Sequence, residues 1–318
     1  MKCTEIYRIG MRKYLIFMAA ASVFFQVGCS GKLVPRSAEE IRMEKIARID
    51  TTSLRTVIDP DTIAGCEQLG DLSAEAWILV EDSTGMVISQ KNADKRMFMA
   101  SLTKMMTCLL ALESEKLSDS IDITQEVCPL RDSHIRPGDA FLMSDLVDEM
   151  MLLSDNNAAL AISNHLGGSE EAFCEMMNAK AAYLGMDSTH FANPNGMPND
   201  SNYSSARNLL SLARYGLCDS LFASIVSTSK MDIPLLDGRH LPSQNTNVML
   251  ESYAGCIGVK TGYTRQAGAC LASAATREGV TLVLILLNSR SRSSRFIESA
   301  ILLDYGFRVM KAYRSHTP

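Results

Sequence analysis

Ala100-Ser101-Leu102-Thr103-Lys104-Met105-Met106-Thr107 is the stretch on which the fold turns. Apolar residues recur at helical spacing from Ser101 to Leu112, so Ser101 stands at a helix start with Lys104 three residues on. That spacing puts a hydroxyl and an amine on one helix face, and the helix N-terminus adds positive potential where an oxyanion would develop. The amine can take the hydroxyl proton only when it is neutral. Its pKa must then fall from about 10.4, which burial and a second nearby cation would achieve.

Two further motifs follow in order: Ser154-Asp155-Asn156, an S-x-N, and Lys260-Thr261-Gly262, a K-T-G. Lys260 supplies the second cation. Ser154 can pass a proton between Lys104 and a leaving amine, and Asn156 offers an amide to a peptide group. A K-T-G strand end with its small Gly262 lets an extended ligand backbone lie along a sheet edge. Short patterns recur by chance, and this chain has a second S-x-x-K at Ser227-Thr228-Ser229-Lys230 and a second S-x-N at Ser243-Gln244-Asn245. The former has no helix to align its side chains and the latter reads as a Pro- and Asn-rich loop, so both are treated as accidental. K-T-G occurs once, where about a tenth of one is expected at random. Specificity comes from the three in order, on a helix start, a helix–helix junction and a strand.

Outward from the first motif, the N-terminal side reads as a hairpin. Trp77-Ile78-Leu79-Val80 and Met86-Val87-Ile88 flank the turn Asp82-Ser83-Thr84-Gly85. A helical middle runs to about Leu221, with periodic segments at 142–153, 158–166, 170–184 and 205–215. Turn chemistry separates them at Arg136-Pro137-Gly138-Asp139, Gly167-Gly168 and Asn193-Pro194-Asn195-Gly196. Strands return at 256–260, 267–274 and 281–287, with Arg277-Glu278-Gly279 as a turn, and a final helix spans about 295–305. The hairpin and the late strands can complete one antiparallel sheet with helices packed on it, an α+β fold.

The 318 residues are 47% hydrophobic, enough for a sizeable core, and the net charge of −5 with no basic block excludes a nucleic-acid backbone binder. Nine cysteines include no C-x-x-C, which argues against a structural zinc site or a thioredoxin-type motif. No disulfide is assigned. Residues 1–28 carry Lys2, Arg8, Arg12 and Lys13 ahead of an apolar stretch from Tyr14 to Val27, a secretory signal too short to span a bilayer. Its end, Gln26-Val27-Gly28-Cys29-Ser30, resembles a bacterial lipobox, with Cys29 the lipidated first residue of an exported protein. Residues 29–74 then form a lipid-anchored tether, 75–311 the main domain and 312–318 a tail. Met97, Met99, Met105 and Met106 read as core filler. His134, His165, His190 and His240 share no metal spacing, and Glu170 and Glu171 form a solvated first turn.

The three motifs are those of class A β-lactamases and penicillin-binding proteins. Beyond them, the sequence resembles the D-alanyl-D-alanine carboxypeptidase family of low-molecular-mass penicillin-binding proteins. The likeness covers roughly 76–308 and is carried by 100–107, 136–139, Met176-Met177-Asn178 to Phe191, Asn195-Gly196, Tyr203-Ser204-Ser205-Ala206 and Gly258-Val259-Lys260-Thr261-Gly262-Tyr263-Thr264. It implies a β-lactamase/transpeptidase-like fold, an antiparallel sheet with helices on both faces plus an all-helical subdomain. It also implies a serine peptidase acting on peptidoglycan stem peptides and inhibited by β-lactam antibiotics. Ser101 would be acylated with release of the terminal D-Ala, Lys104 would be the base and Ser154 the relay. The N–H groups of Ser101 and Tyr263 would form the oxyanion hole, and Asn156, Lys260, Thr261 and Arg295 would bind substrate.

No cofactor or metal is implied. Asp155 and Asn157 depart from the family pattern, and the extra C-terminal domain and amphipathic helix of several relatives are missing from this sequence, leaving Cys29 as the membrane attachment. A class A-like β-lactamase is the nearest alternative, but its E-x-x-L-N motif is absent between Ser154 and Lys260. A catalytically inactive peptidoglycan-binding lipoprotein is the other, and an endopeptidase would use the same machinery.

Overall fold

The computed structural model describes residues 25–27, 33–35, 69–129 and 133–316. In the N-terminal unit, Phe25–Val27 (β1) pairs antiparallel with Leu33–Pro35 (β2). The rest of the segment read as a signal, Cys29 and most of the stretch read as a tether lie outside the described residues.

The main body begins where Leu69 and Leu72 pack against the core and Ala74 is fully buried. Ala76–Glu81 (β3) is buried at every position, as a central strand covered on both faces requires. The turn to Val87–Lys91 (β4) is organised by the buried Glu81 carboxylate, which accepts hydrogen bonds from the Ser83 and Thr84 hydroxyls and from the Thr84 N–H. After Met97–Phe98 (β5), a 3-10 turn over Ala100–Thr103 leads into Lys104–Glu113 (α1). Ser120–Asp122 (β6) pairs with Ala140–Leu142 (β7), and three helices follow: Met143–Leu152 (α2), Asn156–Gly167 (α3) and Glu170–Tyr183 (α4). Two of these helix starts have a side-chain acceptor: Asp155 caps α3 and Ser169 caps α4. Tyr203–Ser204 (β8) pairs with β5, then come Ala206–Leu217 (α5), capped by Ser205, and Ser220–Ser227 (α6), capped by Asp219.

Lys230–Pro234 (β9) and His240–Gln244 (β10) form a hairpin that the sequence reading left as loop. Ser243 and Gln244 of the second S-x-N therefore lie in a strand. The two prolines obscured the alternation, yet Pro242 is tolerated in an isolated two-stranded ribbon. A short helix, Met249–Ser252 (α7), precedes Cys256–Thr264 (β11), Gly268–Arg277 (β12) and Val280–Ser289 (β13). The chain closes with Ser294–His316 (α8). That helix runs well past Tyr305, because Val309 and Met310 remain buried and keep the helical face packed.

The sheet order is β11-β12-β13-β3-β4, all antiparallel. The N-terminal hairpin joins the late strands through β13 against β3, with Ile285 opposite Ile78. On one face Trp77, Leu79, Leu282, Leu284 and Leu286 pack against Leu302 and Leu303 of α8. On the other, α5 covers β13 and β3, and α6 covers β11. Helices α1 to α4 pack on one another as a separate layer. This is the α+β arrangement the sequence led us to expect. No single helix among the described residues is long and apolar enough to cross a membrane.

Candidate active site

The Ser101 turn is held from two sides by backbone. Ala100 has φ +48°, a left-handed conformation unusual for a residue with a Cβ. Thr103 Oγ1 donates to the Ala100 carbonyl at 2.8 Å. Gly196, at φ +83°, lies so close that a Cβ there would sit 2.1 Å from the Ala100 oxygen. Gly262 of the K-T-G motif approaches from β11, and a Cβ there would lie 3.0 Å from the Met99 carbonyl and 3.1 Å from the Ser101 nitrogen. Gly262 is thus small because the serine turn packs on it, a reason the sequence reading had assigned to a ligand backbone. Met99, Met105 and Met106 are fully buried around this turn, as core filler.

Lys104 is fully buried and its Nζ donates to Ser101 Oγ at 3.2 Å, to Asn156 Oδ1 at 2.7 Å and to the Asn195 carbonyl at 2.5 Å. Burial drives its pKa from the ordinary lysine value down to about 7, against the opposing pull of Asp155. At neutral pH about half the population therefore carries a neutral amine beside the hydroxyl. The sequence reading named burial and Lys260 together as the causes. Burial is the cause at Lys104, as expected, whereas the lysine–lysine repulsion is felt at Lys260. That side chain, 1% exposed, is pushed well below the ordinary range by burial first, then by the charges of Lys104 and Arg295.

Ser154 sits in the junction between α2 and α3 with φ +65°, and its Oγ has no hydrogen-bond partner among the described residues. Asn156, at the start of α3, meets Lys104 through Oδ1, and its Nδ2 lies 3.7 Å from Met197 Sδ. Between them, the buried Asp155 carboxylate accepts from Ser133 Oγ at 2.7 Å, from the His134 N–H at 3.0 Å and from the Ala158 N–H at 3.0 Å.

On β11, Thr261 Oγ1 lies 2.6 Å from Thr246 Oγ1, and the half-exposed Tyr263 ring is covered by the Arg292 guanidinium at 4.3 Å. Arg295, in the first turn of α8, is buried and donates through Nη1 to the Gly262 carbonyl at 2.8 Å. It therefore reaches the K-T-G strand through its backbone. Sequence reasoning missed the Asn195 carbonyl, visible only as part of an Asn-rich turn, and the carboxylate role of Asp155. Among the described residues no three His, Cys, Asp or Glu side chains are placed to hold a metal.

A hydroxyl 3.2 Å from a buried amine that is half neutral at pH 7, with a second buried lysine on the facing strand, defines the site of a serine acyl-transfer hydrolase. The sequence model described as D-alanyl-D-alanine carboxypeptidase matches residues 63–291. The chain is 30% identical to the D-alanyl-D-alanine carboxypeptidase DacF of Bacillus subtilis over 76% of its own length and 64% of that protein's. It is 30% identical to DacB2 of Mycobacterium tuberculosis, over 77% and 86%. The crystal structure of the Streptomyces K15 DD-transpeptidase superposes with a TM-score of 0.72 at 30% identity, covering 76% of this chain and all of that one. The chain belongs to the D-alanyl-D-alanine carboxypeptidase family of serine peptidases.

Proposed function

We propose that this chain is a serine-type D-alanyl-D-alanine carboxypeptidase that removes the terminal D-Ala from peptidoglycan stem peptides. Neutral Lys104 takes the Ser101 proton as Oγ attacks the carbonyl of the penultimate D-Ala. The N–H groups of Ser101 and Tyr263 stabilise the oxyanion. Ser154 passes a proton to the departing amine, the bond to the terminal D-Ala breaks, and water then hydrolyses the ester on Ser101. Asn156 holds the substrate amide, while Lys260, Thr261 and Arg295 make the positive end that receives the terminal carboxylate. An arriving carboxylate offsets the burial and repulsion that depress Lys260, so that lysine gains its charge on binding.

β-Lactams acylate Ser101 by the same route and act as inhibitors. The protein works at the cell envelope: residues 1–28 direct export, Cys29 carries the lipid, 29–74 are the tether and the catalytic domain begins near 75. The basic segment, apolar stretch and Gly28-Cys29 pair support this placement.

The observation that carries the enzymatic reading is the short approach of the buried Lys104 Nζ to Ser101 Oγ. Intact-protein mass spectrometry after incubation with a penicillin, followed by peptide mapping, tests it. A persistent adduct on Ser101 is expected. No adduct would return the chain to a binding role, and rapid turnover of the penicillin would make it a β-lactamase.

A further inference from the structure

Ser154 and Asn156 flank the one carboxylate in the catalytic turn, and Asp155 is 6% exposed. Its Oδ1 caps α3 through the Ala158 N–H, and its Oδ2 accepts from Ser133 Oγ and the His134 N–H, so one side chain fixes two chain segments. Ser154, immediately before it, holds φ +65° without glycine's freedom, a conformation that persists only where neighbours over-determine it. Asn156, immediately after it, holds Lys104 Nζ at 2.7 Å. We propose that Asp155 is a positioning residue of this site, a carboxylate that locks the turn carrying Ser154 and Asn156 to Ser133 and His134 and bears on Lys104.

The inference rests on the carboxypeptidase reading and deepens it. The charged and titratable groups around the pair come from several elements. Lys104 has Asp155 at the α2–α3 junction and Lys260 on β11, with Arg295 of α8 behind Lys260. Asp155 also bears on Glu149 of α2 and on Cys128, whose other charged neighbours are Arg136 and Asp139. His134 Nδ1 stands 3.8 Å from Glu149 Oε1. Of the groups acting on Lys104, Asp155 is the one that favours its protonated form. Removing this charge should let Lys104 become a base at lower pH. Mere loosening of the turn would admit water, restore the ordinary lysine range and move the limb upward.

The test is the rate of acylation by a fluorescent penicillin as a function of pH, in the unaltered full-length protein, Asp155→Asn and Ser133→Ala. For Asp155→Asn we expect a plateau about tenfold lower and an acid limb about one unit lower in pH. Ser133→Ala keeps the charge and loses one hydrogen bond, so its plateau should fall about threefold with the limb unmoved. An Asp155→Asn limb that stays in place or moves upward overturns the proposal. So do two variants that label at the unaltered rate. If Asp155→Asn fails to fold, Ser133→Ala decides, and unchanged acylation there overturns it. A folded, unaltered protein that takes no label refutes the carboxypeptidase reading, which keeps the two failures apart.

Discussion

Ser101–Lys104 and Ser227–Lys230 carry the same four-residue pattern and end in opposite environments. In the first, the 3-10 turn runs straight into α1, so hydroxyl and amine share a face, and the packed helical layer strips the amine of water. In the second, α6 ends at Ser227, Thr228 is extended, and Lys230 opens a strand. Ser227 Oγ turns back to the Ser224 carbonyl, and the largely exposed Lys230 pairs with Glu251 at 3.1 Å. Pattern supplies the functional groups. Continuous helical register and burial convert them into a nucleophile and a base.

The contrast can be broken most sharply at the hydroxyls. Ser101→Ala should abolish penicillin labelling and D-Ala release, while Ser227→Ala should leave both unchanged; a gel-based labelling assay reads the two side by side. Next come the amines. Lys104→Ala should lower acylation by about 10²- to 10⁴-fold, and Lys230→Ala should leave it within about twofold of the unaltered rate.

The pH dependence sharpens the comparison further. Because burial holds Lys104 at about 7, acylation should rise about tenfold per unit below pH 7 and level off above it. A lysine amine left in water would place that limb near 10. A stopped-flow pH profile separates the two.

The smallest effect is on stability and contrasts the exposed Lys230–Glu251 pair with a buried carboxyl. Glu149 is fully buried, and burial raises its pKa to about 7, partly offset by the hydrogen bond it accepts from Ser243. Its folded value is raised, so its contribution is fully present below about 4.5 and is lost as pH climbs through 7. Glu149→Gln should therefore gain roughly 2–3 kcal/mol at pH 8 and nothing at pH 4. Lys230→Ala should cost less than about 1 kcal/mol at either pH. Urea unfolding at the two pH values checks both.

Much of this arrangement was legible in the sequence because local signals agreed. The run from Ser101 to Leu112, the turn at Asp82–Gly85 and the apolar late strands each announced an element, and each is present. The order of the three motifs pointed to Ser101, Lys104, Asn156 and Lys260 as one group, and Lys104 Nζ meets both Ser101 and Asn156. What stayed hidden depends on contacts between segments far apart in sequence. Nothing local marks Asn195 as a carbonyl acceptor for Lys104, or Arg295 as a donor to the Gly262 backbone. The β9–β10 hairpin was lost because Pro234 and Pro242 masked an alternation that the Asp237-Gly238 turn could have restored.

The sheet order has a consequence for when the enzyme becomes active. β3 and β4 leave the ribosome long before β13, yet they need β13 to stop being a bare two-stranded ribbon. The serine turn likewise waits for β11 to close over it, with Gly262 as the wall. A chain that stops short of β11 therefore lacks both the wall behind Ser101 and the second buried lysine.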